Sequence, residues 1–253
     1  MRIDVAFTPA GLAGGEVAGR TVFVIDVLRA STTICAALAH GARGIIPVPS
    51  IEEAIRLAQT LDRREVLLAG ERHATRIEGF DLGNSPLEMT EPVVHGKTIV
   101  MTTTNGTRAL QATAGAAAVY LAGGVNLRAA GARAREALDR EGDLLVLCAG
   151  REGHFGLDDA YAAGRLILAA LDGRRPRRGM NDSALVALDL ARRYGRRWLQ
   201  PLMASRAGQD LVDLGFREDV LYAAQEDHLP VLVQFLDRRL FLVPAAPLAG
   251  AGT

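Results

Sequence analysis

Short apolar runs rich in β-branched residues alternate along the chain with longer runs in which alanine and leucine recur at helical spacing. Short apolar runs predict strands, and an apolar period near 3.6 residues predicts amphipathic helices. The predicted strands are 2–7, 21–27, 44–48, 66–69, 98–103, 117–122 and 143–149. The predicted helices are 32–41, 51–61, 105–114, 127–140, 157–171 and 182–194.

This alternation predicts an α/β fold, namely a layered α/β/α protein with a largely parallel, mixed sheet covered by helices on both faces. The pattern is weaker beyond residue 200. We expect helix over 205–224 and a hairpin over 231–243 that turns at Asp237-Arg238. An antiparallel pair of this kind is common on a mostly parallel sheet.

The domain organisation follows from the absence of a low-complexity linker. We expect one catalytic unit over 1–253, with a flexible tail at 244–253. Segments 21–41 and 144–164 share a form, an apolar strand, a short polar turn and an alanine-rich helix. Two similar lobes, 1–140 and 141–243, are therefore an alternative description.

Composition narrows the class of protein. Apolar residues make up 49% of the 253, and 29 basic and 29 acidic side chains leave no net charge. A neutral chain with 5% aromatic residues argues against nucleic-acid binding, which needs a basic surface or stacking aromatics. Cys35 and Cys148 lie in apolar runs, and neither a secretory signal nor a membrane span is evident, so we expect reduced core thiols in a cytoplasmic protein.

Candidate chemistry lies in the polar turns that follow strands, because ligands of open α/β sheets bind at the carboxyl ends of the strands. The first turn combines Asp26 and Arg29 with three hydroxyls that suit an oxyanion. These hydroxyls belong to Ser31, Thr32 and Thr33. The same residues are equally typical of ordinary helix caps.

The second turn is a long polar loop within residues 67–86. Loops of this length between packed elements more often carry a function than serve only as connections. Its carboxylates could hold Mg²⁺, which prefers oxygen ligands. The alternative is a solvated loop in which Asn84 and Ser85 cap the next helix. The candidate residues here are Glu71, Arg72, Asp81 and Asn84.

Two further turns, 101–110 and 148–159, also carry polar side chains. Their candidate binding residues are Thr103, Thr104, Asn105 and Arg108 in the third turn, and Arg151 and Glu152 in the fourth. Asp158 and Asp159 begin a predicted helix, where acidic residues complement the helix dipole. For Asp159 we prefer that interpretation to a role in a site.

Several known phosphate-binding and nucleophile motifs are missing from the sequence. There is no GxxxxGK[ST] loop, no GxSxG elbow and no GxGxxG after a strand. A Cys-x5-Arg loop and an Asp-x-Asp pair after the Asp26 strand are also absent. The remaining interpretation is an anion-binding site with carboxylates that are candidate metal ligands.

The same turns resemble the 2-phosphosulfolactate phosphatase family. The segments that carry the resemblance are DVLRASTT, GER followed by IEGFDLGNSP, TTTNGTRA, CAGREG, and DLGFREDV followed by QED. The resemblance implies a Mg²⁺-dependent acid phosphatase with an α/β fold of its own. Its reaction would convert (2R)-phosphosulfolactate to sulfolactate and phosphate, a step toward coenzyme M.

On this basis we expect Mg²⁺ to be held by Asp26 with Glu71 or Asp81, and to activate water for in-line attack while arginines such as Arg29 stabilise the phosphoryl oxygens. The other candidates would bind the small anionic substrate. A phosphatase of another phosphorylated hydroxy acid and a non-catalytic anion-binding protein are the alternatives. A homodimer is a reasonable expectation for such an enzyme.

Overall fold

The computed structural model describes residues 1–175 and 178–244. Its strands are β1 (Arg2–Ala6), β2 (Thr21–Ile25), β3 (Gly44–Pro47), β4 (Val66–Arg72), β5 (Thr75–Arg76), β6 (Thr98–Thr102), β7 (Ala118–Leu121), β8 (Asp143–Cys148), β9 (Val233–Leu236) and β10 (Arg239–Leu242). Its α-helices are α1 (Ala30–Ala39), α2 (Ile51–Gln59), α3 (Glu91–Val94), α4 (Gly106–Gln111), α5 (Leu127–Arg140), α6 (Leu157–Leu171), α7 (Asp182–Tyr194), α8 (Leu199–Ala204), α9 (Arg206–Asp213) and α10 (Arg217–Ala223).

The strands form one mixed sheet in the order β1-β8-β2-β7-β9-β10-β3-β6-β4-β5. Strands β1, β8, β2 and β7 form one parallel block, and β3, β6 and β4 form another. The antiparallel hairpin β9–β10 joins the two blocks. The predicted α/β class with a largely parallel, mixed sheet is confirmed.

Strand register brings the polar turns together within each block. Ile25 at the end of β2 pairs with Cys148 at the end of β8. Gly70 on β4 pairs with Thr102 at the end of β6. Because parallel strands in register end at the same edge, the turns after β2 and β8 are neighbours, as are those after β4 and β6.

Helix α1 lies in a core that the two blocks share, because its Ile34 and Leu38 belong to one buried cluster with Val24 of β2 and Ile45 of β3. Residues 30–38 are all buried, and the helix packs against β3, β10 and a 3-10 turn at Pro86–Glu88. A helix buried on every side needs small or apolar residues all round, and α1 reads ASTTICAALA. It ends at Ala39, and two residues later Gly41 turns the chain with a φ of +90°, which glycine adopts readily.

The region beyond residue 200 differs in part from the prediction. The hairpin is present, and its turn residues Asp237 and Arg238 both have positive φ, as a type I′ turn requires. The single helix predicted over 205–224 is instead α9 and α10, because Gly215 takes a φ of +85° between them. The helix expected after Ser85 is only the 3-10 turn.

The predicted tail at 244–253 lies outside the described residues, apart from Pro244. In the described part of the chain, no helix is both long and apolar enough to cross a membrane.

Candidate active site

A cavity of about 410 Å³ lies where the turns after β2, β4, β6 and β8 converge, with α9 as a further wall. The structure brings nine of the predicted site residues to this cavity. They are Asp26, Arg29, Glu71, Asn84, Thr103, Thr104, Asn105, Arg151 and Glu152. Four separate polar turns of the sequence therefore line a single pocket.

Two buried acids of the pocket hold neighbouring loops together. Glu71 accepts hydrogen bonds from the backbone N–H groups of Ala74 (2.9 Å) and Thr104 (2.8 Å). Asp159 accepts from the N–H groups of Val27 (2.9 Å) and Gly150 (3.0 Å). Each carboxylate thus uses both oxygens to join segments from different strands.

Asp26 and Asp158 are the other two buried acids on the pocket wall. Burial, followed by the nearby carboxylates of Asp158 and Glu71, raises the pKa of Asp26 from 3.8 to about 7. Burial likewise raises the pKa of Asp158 to about 6. Only one oxygen of Asp26 accepts a hydrogen bond within the described chain, from the N–H of Ala30 at 3.3 Å. Its second oxygen is available to a ligand.

The arginines of the pocket wall are held by acidic partners. Arg29 is buried, with Nη1 2.7 Å from a carboxylate oxygen of Asp219 and its guanidinium 4.6 Å from the ring centre of Phe216. Arg151 forms an ion pair with Asp210 on α9. Both arginines border the cavity, so each can meet an anion there.

The three hydroxyls of the first turn support the site from behind and do not line it. Ser31 Oγ accepts from the N–H of Asp26 at 3.0 Å. Thr32 Oγ1 donates to the carbonyl of Val27, and Thr33 Oγ1 to that of Asn84, each at 2.9 Å. These bonds fix the turn that carries Asp26, but none of them caps α1, whose N-cap residue Arg29 makes no side-chain capping bond.

Three predicted site residues lie outside the pocket. Asp81 forms an ion pair with Arg63 (2.7 Å) and accepts from the N–H of Leu68 (2.8 Å). Arg72 points its guanidinium to the carbonyl of Glu71 and to the Thr102 hydroxyl. Arg108 is exposed on α4. The loop that carries Asp81 returns beside β4, where Leu82 pairs with Ala69, and this places the carboxylate away from the cavity.

Two side-chain oxygens of the site have no hydrogen-bond partner among the described residues. They are Oδ1 of Asn84 and Oγ1 of Thr104, and both are buried. Asn105 Oδ1 is occupied, because it accepts from the N–H of Glu152 at 3.0 Å. Buried polar atoms are usually paired, so the two unpartnered oxygens are candidate contacts for a ligand.

The sequence interpretation missed two parts of the site. It preferred a helix-dipole role for Asp159, whereas Asp158 and Asp159 are both buried on the pocket wall. Their position directly after a strand and its turn was the available signal. The wall formed by α9 carried no such signal, because its pocket residue Leu211 looks like an apolar residue of any helix.

The geometry defines an α/β enzyme whose pocket, at the carboxyl ends of parallel strands, combines buried carboxylates with arginines for a small anion. A family model described as 2-phosphosulpholactate phosphatase matches residues 6–237. The chain belongs to this 2-phosphosulfolactate phosphatase family and is a hydrolase. The family predicted from the polar turns is confirmed.

Similar proteins in three bacteria are each named as a probable 2-phosphosulfolactate phosphatase. The protein of Symbiobacterium thermophilum is 45% identical over 90% of this chain and 96% of its own length. That of Carboxydothermus hydrogenoformans is 39% identical over 92% of both chains. That of Clostridium novyi is 32% identical over 93% of this chain and 97% of its own.

Proposed function

We propose that this pocket hydrolyses the phosphate ester of (2R)-2-phospho-3-sulfolactate, giving sulfolactate and phosphate. The names of the relatives suggest the substrate. The observation that carries the proposal is that Asp26 and Asp158 share one cavity with Arg29 and Arg151. Acidic groups for a cation and basic groups for phosphoryl and sulfonate oxygens are therefore combined in one site.

Magnesium fits the donor set in its chemistry. The pocket offers the carboxylates of Asp26 and Asp158 and the unpartnered oxygens of Asn84 and Thr104, all of them hard oxygen donors. No group of three or more His, Cys, Asp or Glu side chains within 1–175 and 178–244 is arranged to hold a metal. Mg²⁺ is commonly held by one or two carboxylates and keeps several waters.

We therefore assign the metal to Asp26 and Asp158, in place of Asp26 with Glu71 or Asp81. Both oxygens of Glu71 already accept backbone N–H groups, and Asp81 lies outside the cavity. When bound, Mg²⁺ would neutralise phosphoryl charge and lower the pKa of a bound water.

The protein's own residues would bind and orient the ester. Arg29 and Arg151 would hold its anionic oxygens, and the buried setting of Arg29 would strengthen its contact. Glu71 and Asp159 would keep the four turns in register through their backbone hydrogen bonds. The sequence contains no recognised nucleophile loop, so we favour direct displacement by water over a covalent intermediate.

The cellular location, the pathway and the partners are inferred from the family resemblance. We infer a cytoplasmic enzyme, active on the route to coenzyme M and without nucleic-acid partners. The homodimer remains a prediction that gel filtration with light scattering can check.

Phosphate release tests the function. Racemic phosphosulfolactate should be hydrolysed in Mg²⁺ and not in EDTA, while phospholactate and phosphoglycolate should react much more slowly. Equal rates on all three esters would support a general phosphatase of hydroxy acids. Tight binding of phosphosulfolactate without phosphate release would identify a non-catalytic anion-binding protein.

A pair of variants tests the metal assignment. Asp158→Asn should reduce Mg²⁺-dependent release by at least about 100-fold, because it removes a proposed ligand. Asp81→Asn should keep most of the rate, since Asp81 meets Arg63 outside the cavity. The reverse ranking would refute the assignment.

A further inference from the structure

Asp219, on α10, accepts hydrogen bonds with both carboxylate oxygens next to the pocket. It is only 2% exposed. One oxygen accepts from Arg29 Nη1 at 2.7 Å, and the other accepts from the Ser85 hydroxyl at 2.6 Å. Asp219 is not among the residues that line the cavity, whereas Arg29 is. Its contact with a ligand would therefore have to pass through Arg29.

Arg29 is held on further sides by other parts of the chain. Its Nη2 donates to the carbonyl of Ala74 at 2.6 Å, and its guanidinium lies over the ring of Phe216. The N–H of Ala74 in turn donates to Glu71. The network thus links the turn after β2, the turn after β4, the segment at Ser85 and helix α10. A guanidinium has five N–H donors, so two bonds to the protein leave three for an anion.

We propose that Asp219 is the positioning residue of Arg29, fixing the guanidinium at the pocket wall so that its remaining donors meet the phosphoryl group. The inference rests on the proposed function, in which Arg29 binds phosphoryl oxygens. A buried arginine without Asp219 would have an unpaired charge and a long side chain free to change rotamer. A displacement of about 1 Å in such a group can cost roughly 100-fold in rate.

The first test uses Asp219→Asn, which keeps the size of the side chain and removes its charge. We expect kcat/KM for phosphosulfolactate to fall by about 10- to 100-fold. Arg29→Ala should lose at least as much and regain activity when guanidinium chloride is added. The double variant Arg29→Ala/Asp219→Asn should not be rescued, because the added guanidinium would lack its anionic partner. Equal rescue in both backgrounds would overturn the proposal.

A serine pair separates positioning from a general loss of stability. Ser85→Ala removes one hydrogen bond to Asp219 together with a cap on the N–H of Leu87. Ser50→Ala removes a comparable cap, on the N–H of Glu53, at the remote helix α2. We expect a several-fold loss of kcat/KM for Ser85→Ala and none for Ser50→Ala. Equal losses in the two variants would show that only cap stability matters.

A crystal structure of Asp219→Asn makes the inference independent of the reaction. The guanidinium of Arg29 should leave its contact with the Ala74 carbonyl and its place over Phe216. If Arg29 stays in position, Asp219 does not position it, whatever the rates are. If the wild-type protein releases no phosphate from any ester while Arg29 moves in the variant, the proposed function fails and the positioning role stands.

Discussion

The carboxylate of Asp159 accepts a hydrogen bond from the backbone N–H of Val27 at 2.9 Å, and this bond joins the first turn of α6 to the turn after β2. The second oxygen accepts from the N–H of Gly150. Asp159 therefore connects the two turns that carry Asp26 and Arg151. Its neighbour Asp158 lines the same pocket.

Asp159→Ala should destabilise the protein by about 2–4 kcal/mol, because two buried N–H groups lose their acceptor. Urea denaturation followed by circular dichroism measures this change. Asp182→Ala is the matched control, since Asp182 also lies in the first turn of a helix, α7, and is exposed. The control should lose less than about 1 kcal/mol. Equal losses would mean that Asp159 acts only on the helix dipole.

Gly106→Ala should displace Asp26. A Cβ at Gly106 would lie 2.8 Å from an Asp26 carboxylate oxygen and 2.7 Å from the Cβ of Ala30. Overpacking of this kind typically costs about 1–3 kcal/mol. We expect phosphate release to fall at least about 10-fold, with the loss seen in kcat/KM. Gly14→Ala, where a Cβ meets nothing within 4 Å, should keep the wild-type rate, and a normal rate for Gly106→Ala would contradict the expectation.

The two cysteines should be inert in the folded protein. Both are buried and unbonded to each other, and burial raises the pKa of Cys35 to about 12 and that of Cys148 well above its usual value. Since the thiolate is the reactive form, iodoacetamide should leave phosphate release unchanged. Mass spectrometry should find alkylation only after denaturation. Rapid labelling of native protein with loss of activity would show an accessible thiol.

Local patterns were sufficient to predict much of the fold from sequence. The apolar periods of 127–140, 157–171 and 182–194 match α5, α6 and α7 residue for residue. It could be predicted that Asp26 and Arg151 lie near one another, because polar turns after parallel strands meet at one sheet edge, and both line the pocket. These features depend on neighbours close in the chain.

Features set by distant contacts could not be predicted in this way. Asp81 looked like a metal ligand in a long acidic loop, but the loop returns along β4 and pairs the carboxylate with Arg63. Nothing local to Asp219 indicates that it meets Arg29, which lies 190 residues away in the sequence. Where a carboxylate points depends on the tertiary fold, which residue spacing alone does not encode.

The raised pKa of Asp26 predicts that ionisation of this side chain lowers the free energy of unfolding as the pH rises. Burial, and then the charges of Asp158 and Glu71, raises its pKa from 3.8 to about 7. A raised carboxyl pKa means that folding favours the protonated form. The corresponding stability is complete below pH 4 and is lost as the pH rises toward 7. Asp26→Asn mimics the protonated form and should escape this loss.

Thermal unfolding in EDTA should show how the charge of Asp26 lowers the stability of the protein as the pH rises. The Tm of Asp26→Asn minus that of wild type should rise by several degrees between pH 4 and 7 and then stay constant. This size follows because about 1 kcal/mol shifts Tm by roughly 2–4 °C in a chain of this size. Asp182→Asn, at an exposed site, should show no such trend. Added Mg²⁺ should raise the Tm of wild type at pH 8 and leave that of Asp26→Asn unchanged. A pH-independent Tm difference would mean that Asp26 is already ionised in the folded protein without cost.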